Sequence, residues 1–284
     1  MVNNMSSCIK KPEVSVYIST FNRLERLKRA VSSVLNQDLD DIEILICDDA
    51  STDGTKDYVY SLIQSDSRVR YFRNEENKGA CATRNLGILA AKGKFITGLD
   101  DDDEFSPDRL SVFVNRWSDN YSFLCSNFIN VYSSGVSNKQ YKDYDGEVVF
   151  SYKDMLFDNV ASNQVFTLTR NLQDINGFDV RVKKFQDWDT WLRLSYEKGC
   201  FLRLPECTYI MNHDHSKDEL RVSKNETEAL ALTSLLERNR DVYGLFGYVY
   251  MKSLVRMISG NVGFFIRLRW FFVRKIYDLL RSFS

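Results

Sequence analysis

Phe95-Ile96-Thr97-Gly98-Leu99 followed by Asp100-Asp101-Asp102-Asp103-Glu104 decides how this chain is read. The first five residues form a short apolar run of the kind that makes a buried strand, and Ser106-Pro107 after the acids opens a helix. Four aspartates and a glutamate therefore stand at the carboxyl end of a core strand, where open α/β sheets hold their ligands. Like charges packed into one loop raise each other's pKa unless a cation neutralises them. The economical neutraliser is a hard divalent ion, Mg²⁺ or Mn²⁺, which takes oxygen ligands and is commonly shared with substrate phosphates. A solvated acidic turn capping the next helix is the plainer alternative. The strand in front argues against it, because it delivers the carboxylates to one fixed point.

Outward from that point the chain alternates. Residues 14–20 read as a strand and 23–36 as an amphipathic helix, with Leu24, Leu27, Val31 and Val34 at helical spacing and Asn22 placed to cap it. Strand 42–47 ends in Asp48-Asp49, helix 55–64 follows the turn Ser51-Thr52-Asp53-Gly54, and strand 69–72 leads to helix 80–91. Strand and helix in strict alternation over about 90 residues describe a mostly parallel α/β sheet flanked by helices. Beyond it, 123–131 and 165–169 read as strands, 133–150 as a polar insertion or lid, and 187–198 as a helix. Two short strands at 201–204 and 208–211 precede a polar loop with His213 and His215, and 226–243 is helical.

Composition excludes little, but charge is unevenly spread. The 284 residues carry a net charge of −1, yet residues 245–284 hold seven basic side chains and one acid, leaving 31 basic and 38 acidic residues before them. The acidic body excludes a nucleic-acid platform. The basic tail, rich in aromatics, has Arg267, Arg274, Asp278 and Arg281 on one helical face, which suits the surface of an anionic membrane; packing on the acidic body is the other reading. The six cysteines lack metal-ligand spacing and read as reduced thiols, residues 1–11 are too polar for a signal peptide, and no apolar run is long enough to span a bilayer. Together these predict a cytoplasmic protein peripheral on the inner face of the membrane.

The acids at strand ends and Arg84, one turn into a helix, suit a nucleotide diphosphate: a carboxylate after strand two for base or ribose, a metal and a cation for phosphate. A dinucleotide-binding oxidoreductase would need GxGxxG after the first strand, where this chain has Thr20-Phe21-Asn22-Arg23-Leu24. In order, the stretches 14–23, Asp48-Asp49-Ala50-Ser51-Thr52-Asp53-Gly54-Thr55, Asn77-Lys78-Gly79-Ala80, Arg84-Asn85-Leu86-Gly87, Asp100–Asp103 and Gln186-Asp187-Trp188-Asp189 resemble the inverting family 2 glycosyltransferases of the GT-A fold.

That resemblance implies one transferase domain over 1–243, its nucleotide-binding half at about 14–115 and its acceptor half at about 116–243, with a helical tail over 244–284. It assigns the nucleotide to Thr20, Asn22, Asp49, Arg84 and Asp100, and a Mn²⁺ or Mg²⁺ ion to Asp102 and Asp100, with His213 or His215 as a further ligand. It makes Asp187 the catalytic base, with Asp189 as the competing carboxylate because Gln186 stands where the family usually has Glu. The implied reaction moves a hexose from a nucleotide-sugar, UDP-glucose or UDP-galactose, to a lipid-diphosphate-linked saccharide with inversion, as in bacterial surface-polysaccharide or O-antigen assembly. The alternative is a non-catalytic membrane-associated assembly module on the same scaffold.

Overall fold

The computed structural model describes residues 11–141, 146–161, 164–214 and 228–258. Its first half is β1 (Val14–Thr20), α1 (Leu24–Leu35), β2 (Ile42–Asp48), α2 (Thr55–Ser65), β3 (Val69–Arg73), α3 (Ala80–Ala90) and β4 (Phe95–Asp100). The four strands lie in the order β3-β2-β1-β4 and are all parallel. Every residue of β2 is buried, as expected of a parallel strand covered on both faces. Val14, Val16 and Ile18 of β1 pack with Leu27, Val31 and Val34 of α1, while Tyr17 faces the opposite layer with Cys81 and Ile88 of α3.

The second half is β5 (Glu104–Phe105), α4 (Arg109–Arg116), β6 (Leu124–Tyr132), β7 (Ser137–Lys139), β8 (Val148–Phe150), β9 (Phe166–Leu168), α5 (Thr169–Asp174), α6 (Gln186–Lys198), β10 (Phe201–His213), α7 (Glu228–Arg238) and α8 (Arg240–Ile258). The sheet continues as β4-β9-β6-β10-β5, with β9 antiparallel to both neighbours. The whole sheet is therefore mixed, a parallel nucleotide-type half joined through one reversed strand to a second half.

Several expectations change here. Residues 133–150 are not simply a lid, because β7 pairs with β6 and β8 with β10; residues 142–145 lie outside the described residues. The two short strands at 201–204 and 208–211 are one strand, β10, bulged between Leu204 and Tyr209. Pro205 sits in that bulge, where its missing N–H breaks no ladder bond. Asn22 does not cap α1: its backbone is left-handed (φ 52), and the Leu24 N–H is instead bonded 2.9 Å from Asp53 Oδ2 of the next loop. Of the expected tail, α8 bends at Gly244 and sends Tyr250, Met251 and Val255 into the core, while Leu245, Phe246 and Val249 stay exposed. The arginines at 267, 274 and 281 lie outside the described residues. No helix among the described residues is long and apolar enough to cross a membrane.

One glycine is dictated by the site. Gly98 pairs in register with Tyr17, and a Cβ there would stand 2.3 Å from Gln164 Oε1 and 2.4 Å from Tyr17 Cζ. Only a bare backbone lets the Tyr17 ring and the Gln164 amide cross β4. Gly98→Ala is therefore expected to destabilise the fold by about 1–3 kcal/mol through overpacking, read as a lower urea midpoint at unchanged m-value.

Candidate active site

Parallel pairing sets Thr20 beside Asp48 and Ser19 beside Asp100, so the loops after β1, β2 and β4 open on one edge. Between them lies a cavity of about 300 Å³, lined by Thr20, Arg23, Asp49, Arg84, Asp100 and Asp102 among others. The acidic run divides its labour. Asp103 is a buried anchor: Tyr209 Oη donates to it at 2.8 Å and the Asn212 N–H at 2.9 Å, tying β10 to the loop. Burial, with Asp102 and Asp100 nearby, pushes its carboxyl well up. Asp101 is held to β1 by the Thr20 hydroxyl at 2.8 Å and by Arg23 at 3.1 Å, and burial raises it to about 6.

Asp100 and Asp102 face the cavity. Asp100 Oδ1 accepts from Arg84 Nη2 at 2.8 Å and from Gln164 Nε2 at 3.2 Å, and Gln164 is oriented in turn by Tyr17 Oη at 2.8 Å. Asp102 Oδ2 lies 3.3 Å from Arg23 Nη1 and its side chain is 15% exposed. Arginines thus neutralise much of the acidic run. Among the described residues no three metal-binding side chains cluster. The donor chemistry nevertheless fits Mg²⁺ or Mn²⁺, which take one or two carboxylates and complete their shell with water and substrate phosphate.

Two expected nucleotide ligands also do structural work. Asp49 lines the cavity, but its oxygens accept from Asn74 Nδ2 and from the Lys78 and Gly79 N–H groups, each at 2.8 Å, so it also organises the entry to α3. Asn22 is not among the cavity-lining residues; its Oδ1 accepts the Thr52 N–H at 2.7 Å, bracing one loop on the next. The His213 ring bonds Asn130 at 2.8 Å and stacks on Tyr132. It is the preceding residue, Asn212, that reaches Asp102 O and Glu104, each at 3.1 Å. His215 lies outside the described residues.

Asp187 arrives in the first turn of α6. Arg84 links the two halves: one nitrogen holds Asp100, another holds Gln186 Oε1 at 2.6 Å, and the guanidinium lies over Phe178. Asp187 Oδ1 is buried with no hydrogen-bond partner among the described residues. Burial raises its pKa to about 6, Arg84 pulling it down and Asp100 pushing it up. Asp189 is differently placed: 1% exposed, its oxygens bonded to Arg193 at 3.0 Å, Arg238 at 3.3 Å and Asn239 at 2.9 Å. It is committed to joining α6 and α7. Phe185, just before α6, has a left-handed backbone (φ 62), a strain of about 1–3 kcal/mol for a bulky residue that the fold carries beside Asp187.

Sequence reasoning missed Arg23 and Gln164. Arg23 had a signal, since it follows β1 at the same edge as the aspartates. Gln164 had none, because only the reversed strand β9 brings its segment beside Asp100.

Comparison with known proteins agrees with this outline. The chain is 36% identical over 218 residues to WcaA of Escherichia coli K12, assigned as a colanic acid biosynthesis glycosyl transferase, covering 75% of this chain and 76% of WcaA. It is 31% identical over 194 residues to the GalNAc(5)-diNAcBac-PP-undecaprenol beta-1,3-glucosyltransferase of Campylobacter jejuni, covering 67% of this chain and 62% of that one. In structure it superposes on S. aureus TarS 1-349 in complex with UDP-GlcNAc with a TM-score of 0.69 at 16% identity, over 92% of this chain and 79% of TarS, which identifies the GT-A fold. Residues 15–178 match the family described as Glycosyl transferase family 2, and the chain belongs to that family of enzymes.

Proposed function

We propose that this enzyme transfers a hexose from a nucleotide-sugar, UDP-glucose or UDP-galactose, to a lipid-diphosphate-linked saccharide in bacterial surface-polysaccharide assembly, inverting the anomeric centre. The observation that carries the reading is Arg84, which joins the acids of the first cavity to the α6 turn that presents Asp187. The name of the Campylobacter relative supports the lipid-linked acceptor and that of WcaA the polysaccharide pathway.

In this mechanism the acceptor hydroxyl attacks the anomeric carbon from the face opposite the diphosphate, and the bond to the diphosphate oxygen breaks as the new C–O bond forms. Asp187 takes the hydroxyl proton, a contribution of about 10²–10⁴-fold. Arg84 and Arg23 place positive charge where the leaving diphosphate gains negative charge, in a site whose dipoles are already oriented. Asp102 and Asp100 are the residues that would hold Mn²⁺ or Mg²⁺, which would supply Lewis-acid charge against the same diphosphate. One displacement turns an α-linked donor into a β-linked product, and no enzyme nucleophile takes part. Exposed Leu245, Phe246 and Val249 on α8, with Lys252 and Arg256 further along it, support a peripheral seat on an anionic membrane.

The test is transfer from a panel of UDP-, GDP- and dTDP-sugars to a diphosphate-lipid GlcNAc or GalNAc, with Mn²⁺ or with EDTA, on the wild type and Asp102→Ala. Transfer from a UDP-hexose that is lost with EDTA and in the variant is expected. Transfer that survives EDTA removes the metal from the mechanism, and no transfer from any donor overturns the reading.

A further inference from the structure

Asp187 does not line the donor cavity. It lines a second cavity of about 350 Å³ with Lys183, Lys184, Phe185, Gln186 and Trp188. A hydrogen bond of 2.6 Å joins Arg84, which lines the first cavity, to Gln186, which lines the second. The second cavity thus stands on the acceptor side of the proposed reaction, and its assignment rests on that reaction.

Its chemistry is uneven. At one point stands Asp187, whose unpartnered Oδ1 suits a sugar hydroxyl. Beside it Lys183 and Lys184 have no carboxylate partner among the described residues, in a body where acids outnumber bases 38 to 31. Lys184 Nζ lies 5.4 Å from the Phe185 ring centroid, a cation–π contact on the one side that leaves its other donors open. Two adjacent lysines without carboxylate partners among the described residues offer two cations that a neutral sugar does not need. A phosphate or diphosphate group satisfies both.

Position narrows the ligand further. Asp187 and both lysines line the same cavity, of about 350 Å³, so the hydroxyl and the anion that they meet lie within the span of one sugar and its substituent. We infer that Lys183 and Lys184 form an anion subsite for an acceptor whose diphosphate is attached directly to the sugar that Asp187 deprotonates. The enzyme therefore acts early on the lipid carrier. The reaction that supplies its substrate is the one that moves a sugar 1-phosphate from a nucleotide-sugar onto a lipid phosphate, forming the new diphosphate bond and releasing the nucleoside monophosphate.

The experiment is calorimetric binding to the full chain in the presence of UDP, so that it reads out whether or not turnover occurs. The probes are a short-prenyl diphosphate GlcNAc, the corresponding octyl glycoside, and an octyl glucuronide that carries its charge on the sugar. The wild type is expected to bind the diphosphate roughly tenfold or more tightly than the neutral glycoside, as charge-assisted contacts allow. In the Lys183→Ala/Lys184→Ala double variant that ratio should fall toward one, with the UDP affinity serving as the check on folding. Equal binding of the charged and neutral probes by the wild type, or no binding of any probe, overturns the subsite. A preference for the glucuronide overturns the diphosphate assignment, and a preference that survives in the double variant overturns the role of the lysines. Failure of the donor panel to give transfer, with this selectivity intact, counts against the proposed reaction and not against the subsite.

Discussion

Asp187→Asn is expected to lower kcat by about 10²–10⁴-fold while UDP affinity, measured by calorimetry, stays near that of the wild type. The side chain keeps its shape and loses only the ability to take a proton. Its stability effect has the opposite sign. Burial raises the Asp187 carboxyl from 3.8 to about 6, so the fold disfavours the ionised form. Stability from this group is greatest where it is protonated and is lost as pH rises from about 4 through about 6. An asparagine never ionises, so near neutral pH the variant should melt a few degrees above the wild type. The same pKa sets the wild-type pH profile: kcat/KM should fall as pH drops through about 6, because the base is then protonated. An inactive variant with a lower melting temperature would contradict this account of Asp187.

Arg84→Ala should be the next most damaging change. Arg84 is 8% exposed and is ion-paired to Asp100 at 2.8 Å. Its loss removes a preoriented cation from the leaving diphosphate, a cost of about 10²–10³-fold in kcat/KM by analogy with the removal of an oxyanion-stabilising donor. It also leaves Asp100 and Asp187 facing each other. Because Asp100 is 28% exposed, the stability cost should be about 3 kcal/mol, the low end for breaking a buried pair. The diagnostic effect is in the pH profile. Arg84 holds the Asp187 carboxyl down, so without it the acid limb of the residual activity should move to higher pH. A limb that stays in place would show that Arg84 does not act on Asp187. Lysine should rescue poorly, since a point charge cannot hold Asp100 and Gln186 together.

The parallel half of the fold was legible because local pattern and tertiary role coincide there. Each apolar run of β1, β2 and β4 is buried on both faces, and each connecting helix shows its stripe. Asp49, Arg84, Asp100 and Asp102 were legible as neighbours for the same reason, because parallel strands must end on one edge, while Thr20 came from the family resemblance; the structure sets all five around one cavity. What escaped depends on long-range pairing. Nothing local marks β9 as reversed between β4 and β6, so Gln164 was invisible. Nor does the sequence show that Asp189 is taken up by Arg193 and by Arg238 and Asn239, about 50 residues further on, while Asp187, two positions earlier, keeps an oxygen without a partner among the described residues. Asn22 misled because a cap is read from spacing, while a left-handed backbone turned its side chain to the neighbouring loop and gave the cap to Asp53.

Direct displacement on the nucleotide-sugar, with Asp187 as base, is the central claim, and the anomeric configuration of the product tests it most directly. Proton NMR of the disaccharide formed from an α-linked UDP-hexose should show a β-linkage and no α-linked product at early times. An α-linked product would mean two displacements or a front-face reaction, and the assignment of Asp187 as the base of a single inverting step would fall.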